Sequence, residues 1–299
     1  MTDIAAAAPP NSLTPDQLRL AQGEVVTPER AGWRYLSFRV DELDAGRTIA
    51  LDPAQEAAIV LIAGADLRVE AADSAVIVIP GRPSPFDALP HAVYVPAGHG
   101  VTLAAEGRAV VAVAQAPPSG RDGVASEPRL IGPSQVAVEV RGAGNATRQI
   151  NHIITPEFPA DRLEVVEVYT PSGNWSSWPP HKHDTDDMPR EAVLEEIYFY
   201  QFCRPEAWGI QRLYRADGSR DALWSVRHGE TVLVTDGYHP FVAAHGDDAY
   251  YLNVLAGDRR TMACSFDPAL DHVRADWTAM EADPRVPLVR PLSPQTGPG

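Results

Sequence analysis

The sequence predicts an all-β fold made of two related β-barrel domains with a short helix near the C-terminus, and three observations predict it. Short apolar runs rich in β-branched and aromatic residues recur between Gly, Pro and Asp turn signals. Proline supplies 28 of the 299 residues and is spread along the chain, which favours many short segments over long helices. Finally, Ala92–Ala105 (AVYVPAGHGVTLAA) aligns without gaps over Thr231–Ala244 (TVLVTDGYHPFVAA), matching Val93 with Val232, Val95 with Val234 and Gly98 with Gly237, as two copies of one β-unit would.

Taken in order, the Pro/Gly/Ser/Ala-rich ends, Ala5–Ser12 and Pro291–Gly299, fall outside the expected fold. The first domain, residues 20–125, carries strand-like runs at Ala58–Ala63, Ala75–Ile79, Ala92–Val95 and Ala109–Val113. The second, residues 130–285, carries them at Val165–Tyr169, Ile197–Phe202, Thr231–Val234 and Tyr250–Leu255. Asp267–Asp283 reads as a helix packed outside the sheets, because Leu270, Val273, Trp277 and Met280 fall three or four residues apart.

A net charge of -15 sets the surface against nucleic acid and anionic membrane, so neither is an expected partner. The same field opposes an anionic substrate, which would need a local cation or metal in its pocket. No apolar run reaches the ~20 residues of a membrane span, and the first residues lack the charged and apolar regions of a signal peptide. The two cysteines, Cys203 and Cys264, have neither metal-site nor disulfide-framework spacing, so a soluble protein of the reducing cytoplasm is expected.

Chemistry concentrates in Asn174–Gln201, NWSSWPPHKHDTDDMPREAVLEEIYFYQ. His181 and His183, one residue apart, share a face in extended backbone and can chelate one ion, while Lys182 turns away. Pro179 and Pro180 disfavour helix there. A hairpin through the polar loop Asp184–Arg190 would return Glu196 to the histidines, with Tyr198 and Tyr200 on its face and Glu195 on the other. Glu196 opens an apolar run where an unpaired carboxylate is costly. His239 follows the Gly-containing turn Asp236-Gly237-Tyr238, which can aim it into a barrel mouth. Three imidazoles and a carboxylate suit one divalent ion, Zn²⁺, Mn²⁺, Fe²⁺, Ni²⁺ or Co²⁺, without selecting among them. His239 lies opposite Gly100 in the repeat, and residues 25–120 hold no HxH, so the first domain is expected to bind no metal.

The segments NWSSWPPHKHD, EEIYFYQF, DGYHP with YYLNVLAG, RGAGNATRQINHI and GRPSPFDALPHAVYVPAG together resemble the 5-deoxy-glucuronate isomerase family, bicupins of bacterial myo-inositol catabolism, over most of residues 25–285. The related 4-deoxy-5-keto-uronate isomerases of pectin breakdown share the bicupin fold and an HxH, Glu, His zinc site. The resemblance implies two jelly-roll-like barrels, metal ligands His181, His183, Glu196 and His239 with zinc the expected ion, and conversion of 5-deoxy-D-glucuronate to 2-deoxy-5-keto-D-gluconate. The twelve residues Asp184–Glu195 between the second His and the Glu exceed the usual cupin spacing and leave Glu195 as a rival ligand.

An aldose to ketose isomerisation through an enediol needs a proton shuttle, for which Tyr198, Tyr200 and Tyr238 stand in position, and a hydride shift between the same carbons is the rival route. The substrate carboxylate needs a cation with a bidentate fork, which Arg141, Arg148 or Arg212 could supply. His152, in the run RQINHI, could line the pocket, whereas His91, His99, His228, His245 and His272 read as surface or structural histidines. A metal-dependent dioxygenase, the pectin-pathway isomerase and a non-catalytic sugar-binding cupin are the competing readings. The expected partner is a small sugar acid, and a homo-oligomer is admissible.

Overall fold

The computed structural model describes residues 13–71 and 75–290, so the two Pro/Gly/Ser/Ala-rich ends lie outside the described residues. Strands dominate, arranged as two β-sandwiches. In the first, a five-stranded sheet runs in the order Arg129–Ile131, Ala92–Val95, Glu56–Gly64, Ala109–Ala116, Ser37–Leu43. Its companion sheet has four strands, Thr48–Ala50, Val101–Ala105, Leu67–Ala71 and Ile77–Ile79. Leu43, Ile59, Leu61, Leu67, Val69, Val93, Leu103 and Val111 fill the space between these sheets with aliphatic side chains.

The second sandwich sets a seven-stranded sheet, Arg19–Leu20, Thr231–Val234, Leu194–Phe202, Ala249–Gly257, Leu163–Thr170, Arg148–Ile154, Ala137–Arg141, against Trp175–Ser176, Phe241–Ala243, Trp208–Tyr214 and Asp221–Arg227. The repeat seen in the sequence has a counterpart in register. Ala57 pairs with Val95 in the first unit as Glu196 pairs with Val234 in the second, and one offset relates both pairs.

The outer faces of the two large sheets pack on each other through Phe38, Ala58, Val60, Ala112, Ala114, Val165, Leu252 and Val254. Strands buried on both faces lose the alternation of a half-exposed strand, as Leu163–Thr170 and Ala249–Gly257 do: both are buried at every position and mostly apolar, interrupted by Glu164 and Glu167 in the one and Asn253 in the other. Asp221–Arg227, on the edge of the outer sheet, alternates exposed and buried at every position.

Two devices tie the sandwiches together. The first is an exchange of short strands: Arg19–Leu20, ahead of the first sandwich, pairs with Thr231–Val234, and Arg129–Ile131, ahead of the second, pairs with Ala92–Val95. The boundaries drawn from sequence, 20–125 and 130–285, therefore cut through both exchanged strands. The second is a pair of reciprocal carboxylate clamps. Glu56 accepts from the backbone N–H groups of Asp161, Arg162 and Leu163, at 2.8, 2.6 and 3.0 Å, and from the Tyr94 hydroxyl. Glu195, at the equivalent position, accepts from the N–H groups of Arg34, Tyr35 and Leu36, at 2.6, 3.0 and 2.8 Å. A buried Arg82–Glu167 ion pair, 2.6 Å apart, spans the same interface.

The expected helix over Asp267–Asp283 is reduced to an α-turn at Val273–Asp276 and a 3-10 turn at Trp277–Ala279. At its start, Asp267 turns the chain by accepting from the Ala269 N–H. At its end, Glu281 accepts from the Gly144 N–H and Ala282 forms a parallel bridge to Gly144, which holds the backbone extended beyond Ala279.

Removing the Glu56 side chain leaves the buried N–H groups of Arg162 and Leu163 without an acceptor, whereas the donors released by removing Glu195 are exposed at Arg34 and part-buried at Tyr35 and Leu36. Glu56→Ala is expected to lower stability by about 3–5 kcal/mol and Glu195→Ala by less, because its donors can turn to water, checked by urea unfolding with fluorescence detection.

Candidate metal centre and cavity

The second sandwich holds a cavity of about 710 Å³. Strand alternation builds its floor: Leu194, Glu196 and Tyr198 from one strand, Tyr251, Asn253 and Leu255 from the next, Val166 and Val168 from the third, and Arg148, Ile150 and His152 from the fourth. Trp178, Pro179, His181, Phe266, Arg274 and Trp277 close over it.

At one end His183, Glu196 and His239 bring one ligand atom each within 4.8 Å of one another, all buried. His183 Nε2 lies 2.8 Å and His239 Nε2 3.3 Å from the same oxygen, Glu196 Oε2. Each ring is oriented from behind: His183 Nδ1 donates to the Leu194 carbonyl at 3.0 Å and His239 Nδ1 to the Gly237 carbonyl at 2.9 Å. Both Nε2 atoms of the neutral rings then carry lone pairs aimed at an anion. The Asn253 amide donates to the other Glu196 oxygen. His181 stands against this group, its ring centroid 4.6 Å from that of His239 and 6.4 Å from that of His183.

The electrostatics fit a cation. Burial pulls the His183 pKa down, but the charge and hydrogen bond of Glu196 outweigh it and leave the group raised. Burial pushes Glu196 up, yet His183 and His239 hold it below the usual carboxylate range. Burial presses His239 down to about 4, and burial with His239 beside it presses His181 well below the ordinary imidazole value. The buried His239 Nε2 has no hydrogen-bond partner. A proton on His183 satisfies one contact of this group; a divalent ion satisfies all of them.

Several sequence expectations meet this geometry differently. Glu195 is occupied by the clamp on Arg34–Leu36 and turns away from the histidines. Among the described residues no ladder joins the His181 segment to the Glu196 strand: His181–Lys182 pairs with Ser265–Phe266, and one backbone hydrogen bond, Leu194 N–H to the His183 carbonyl, joins the two pieces beside the bonds of the His183 ring. Lys182 bonds Asp184 and Glu191, outside the cavity.

Tyr198 lines the cavity with its hydroxyl 2.7 Å from Ser177 Oγ. Tyr200 does not: it donates to Gln211, whose amide supports the His239 carbonyl. Tyr238 packs on Tyr214, ring centroids 5.2 Å apart, away from the cavity. Arg212 pairs with Asp221 on the outer sheet and cannot reach a ligand there. Arg141 lines the cavity but spends its fork on Glu139.

Arg148 is different. It is 5% exposed and among the described residues has no acidic partner within salt-bridge distance; its hydrogen bond goes to the Ala146 carbonyl, and burial pulls its pKa to about 10. The sequence reading missed Trp178, Asn253, Arg274 and Trp277 as cavity residues. Trp277 had a signal, its place in an amphipathic pattern, but of the four apolar residues of that pattern Trp277 alone lines the cavity.

Comparison with known proteins gives a consistent result. The KduI/IolB family model matches residues 13–273. The 5-deoxy-glucuronate isomerase of Geobacillus kaustophilus is 43% identical over 255 residues, covering 84% of this chain and 88% of that protein. A crystal structure of an IolB-like protein from Salmonella typhimurium LT2 superposes with a TM-score of 0.80 at 36% identity, covering 86% of this chain and 99% of that one. Oxalate decarboxylase from Lactobacillus farciminis shares the fold alone, with a TM-score of 0.58 at 12% identity over 83% of this chain and 88% of that one.

A second buried carboxylate lies in the same sheet. Glu164 pairs in register with Leu255, which pairs with Glu196, so all three face the interior. It is 1% exposed with no side-chain hydrogen-bond partner, and burial raises its pKa to about 7 against the pull of Arg260. The folded state therefore holds this proton more tightly than the unfolded chain, whose Glu titrates near about 4.3. The stability it contributes is present below that value and lost as pH rises toward 7. In EDTA, so that no cation adds its field, Glu164→Gln is expected to gain on the parent protein by about 2–3 kcal/mol between pH 5 and pH 8.5, measured by urea unfolding at both.

Proposed function

The chain belongs to the KduI/IolB family, and on that premise we propose that it isomerises 5-deoxy-D-glucuronate to 2-deoxy-5-keto-D-gluconate at one divalent cation held by His181, His183, Glu196 and His239. The observation that carries the reading is the convergence of buried imidazoles on Glu196 in a cavity that also holds an unpaired arginine. It is an aldose to ketose isomerase, an intramolecular oxidoreductase that needs no co-substrate.

A cation bound there supplies Lewis acidity to the aldehyde and adjacent hydroxyl oxygens. Zinc is the ion we propose, since imidazole and carboxylate ligands suit it. Asn253 fixes the Glu196 carboxylate, and the Leu194 and Gly237 carbonyls fix the two histidine tautomers. Arg148 binds the substrate carboxylate: its fork is buried, unpaired and turned to the cavity, and an anion would relieve the cost of its burial. Trp178 and Trp277 exclude water from the sugar chain. The first sandwich binds no metal, because Ala57 stands where the second has Glu196 and its interior is aliphatic. The place of action we propose is the cytoplasm, within inositol catabolism.

His181→Ala, His183→Ala, His239→Ala and Glu196→Gln are each expected to lose most bound metal by elemental analysis while staying folded, and Glu195→Gln to keep it. Full metal content in any of the first four removes that residue from the ligand set. Arg148→Ala is expected to raise KM about 10- to 100-fold. With both acids assayed on one preparation, kcat/KM should favour 5-deoxy-glucuronate over 4-deoxy-5-keto-uronate and vanish in EDTA. Preference for the second acid would reassign the substrate, and activity surviving complete metal removal would end the metal mechanism.

A further inference from the structure

We propose that His152 is the catalytic base that carries the proton in this isomerisation, with Glu139 and Arg141 as positioning residues that hold its tautomer; the proposal rests on the isomerase reading above. His152 shares the cavity-facing side of its strand with Arg148 and Ile150 and is 17% exposed. Its Nε2 lies 2.9 Å from Glu139 Oε2. Glu139 also takes both arms of the Arg141 fork, at 2.7 and 2.8 Å, and that hydrogen bonding, with His152 adding to it against burial, holds its carboxyl down to about 2. An ionised carboxylate can only accept, so the imidazole hydrogen sits on Nε2 and the lone pair on Nδ1. Among the described residues that nitrogen has no hydrogen-bond partner. A base backed by a carboxylate that is itself held in place is the arrangement that activates imidazoles elsewhere in enzyme chemistry.

The other cavity groups are committed. The Tyr198 hydroxyl bonds Ser177 and the Tyr251 hydroxyl bonds Ser176, and burial pushes both phenols above their ordinary value. Burial pushes the Cys264 thiol to about 11. Arg148 and Arg274 have no lone pair to offer. Outside the ligand cluster, His152 is the described cavity-lining side chain that offers a nitrogen lone pair.

The step balances without a co-reactant. His152 Nδ1 takes the hydrogen of the hydroxyl-bearing carbon next to the aldehyde as a proton. The C–H pair becomes the double bond of an enediol, and the carbonyl pair moves to the aldehyde oxygen. The imidazolium, paired with Glu139, returns its proton to the former aldehyde carbon. The hydroxyl proton of the second carbon passes to the first oxygen, leaving a ketone and a hydroxymethyl group.

The test compares the metal-loaded parent protein with His152→Gln and Glu139→Gln, following kcat, KM, metal content and deuterium in the product formed in D₂O. Expected are a 10²- to 10⁴-fold lower kcat in His152→Gln, KM within about threefold, unchanged metal, and deuterium on the hydroxymethyl carbon of the parent's product. Glu139→Gln should lose less and still incorporate deuterium. Full kcat in His152→Gln, loss of metal together with activity, or parent turnover without deuterium would each overturn the role of His152 and leave the isomerase reading standing. Should His152→Gln fail to fold, undiminished kcat in Glu139→Gln overturns the proposal. A parent protein that turns over neither acid overturns the isomerase reading and this proposal together.

Discussion

Two adjacent carboxylates on one strand organise this protein. Side chains of a strand point alternately to its two faces, so Glu195 and Glu196 leave Leu194–Phe202 in opposite directions. Glu195 crosses to the other sandwich and gathers the N–H groups of Arg34, Tyr35 and Leu36; Glu196 enters the cavity and gathers His183 and His239. The register that seats one seats the other, and a slip of one residue would exchange a structural anchor for a ligand. The interface between the sandwiches and the centre of the cavity are thus set by a single strand.

The repeat shows which of these features belongs to the shared architecture. Glu56 and Glu195 occupy equivalent positions and make the same three-fold contact with the opposite sandwich, so the clamps form a pseudo-symmetric pair with the exchanged strands. One position later the units diverge, Ala57 against Glu196. In the first sandwich Ala57 joins an aliphatic interior that closes on itself. In the second, Glu196, Asn253, Arg148 and His152 cannot be covered by aliphatic side chains without losing hydration they must replace. That sandwich stays open as a cavity.

Much of this was legible in the sequence because the signals were local. Apolar runs mark strands that are buried on both faces, the HxH spacing puts two imidazoles on one side, and the repeat exposes Gly100 opposite His239. What escaped depends on contacts distant in sequence. Glu195 and Glu196 look alike until Arg34–Leu36 is brought alongside one of them. Arg141, Arg148 and Arg212 are equal as residue types; Glu139 and Asp221 occupy two of them, and no acidic side chain among the described residues occupies the third. Tyr200 and Tyr238 were drawn toward the site by their neighbours in sequence, but Gln211 and Tyr214 claim them. The helix at Asp267–Asp283 failed for a related reason. Its apolar periodicity is real, but Trp277 alone of the four apolar residues lines the cavity, and the far end of the segment is tied in extended form to Gly144.

The charge of the molecule gives these placements their sense. A chain of net charge -15 repels a sugar acid at long range, so affinity has to be created locally, where water is excluded and screening is weak. Arg148 meets that need at a cost: burial has already drawn its pKa down to about 10, and among the described residues no carboxylate pairs with it directly. Arg141 could not serve as well, because Glu139 neutralises it; that neutralisation leaves Glu139 ionised and aligned on His152. Two arginines seven residues apart on paired strands therefore divide the work. One is kept unpaired so that the substrate completes its ion pair, and the other is paired so that a histidine of the cavity keeps its lone pair on Nδ1.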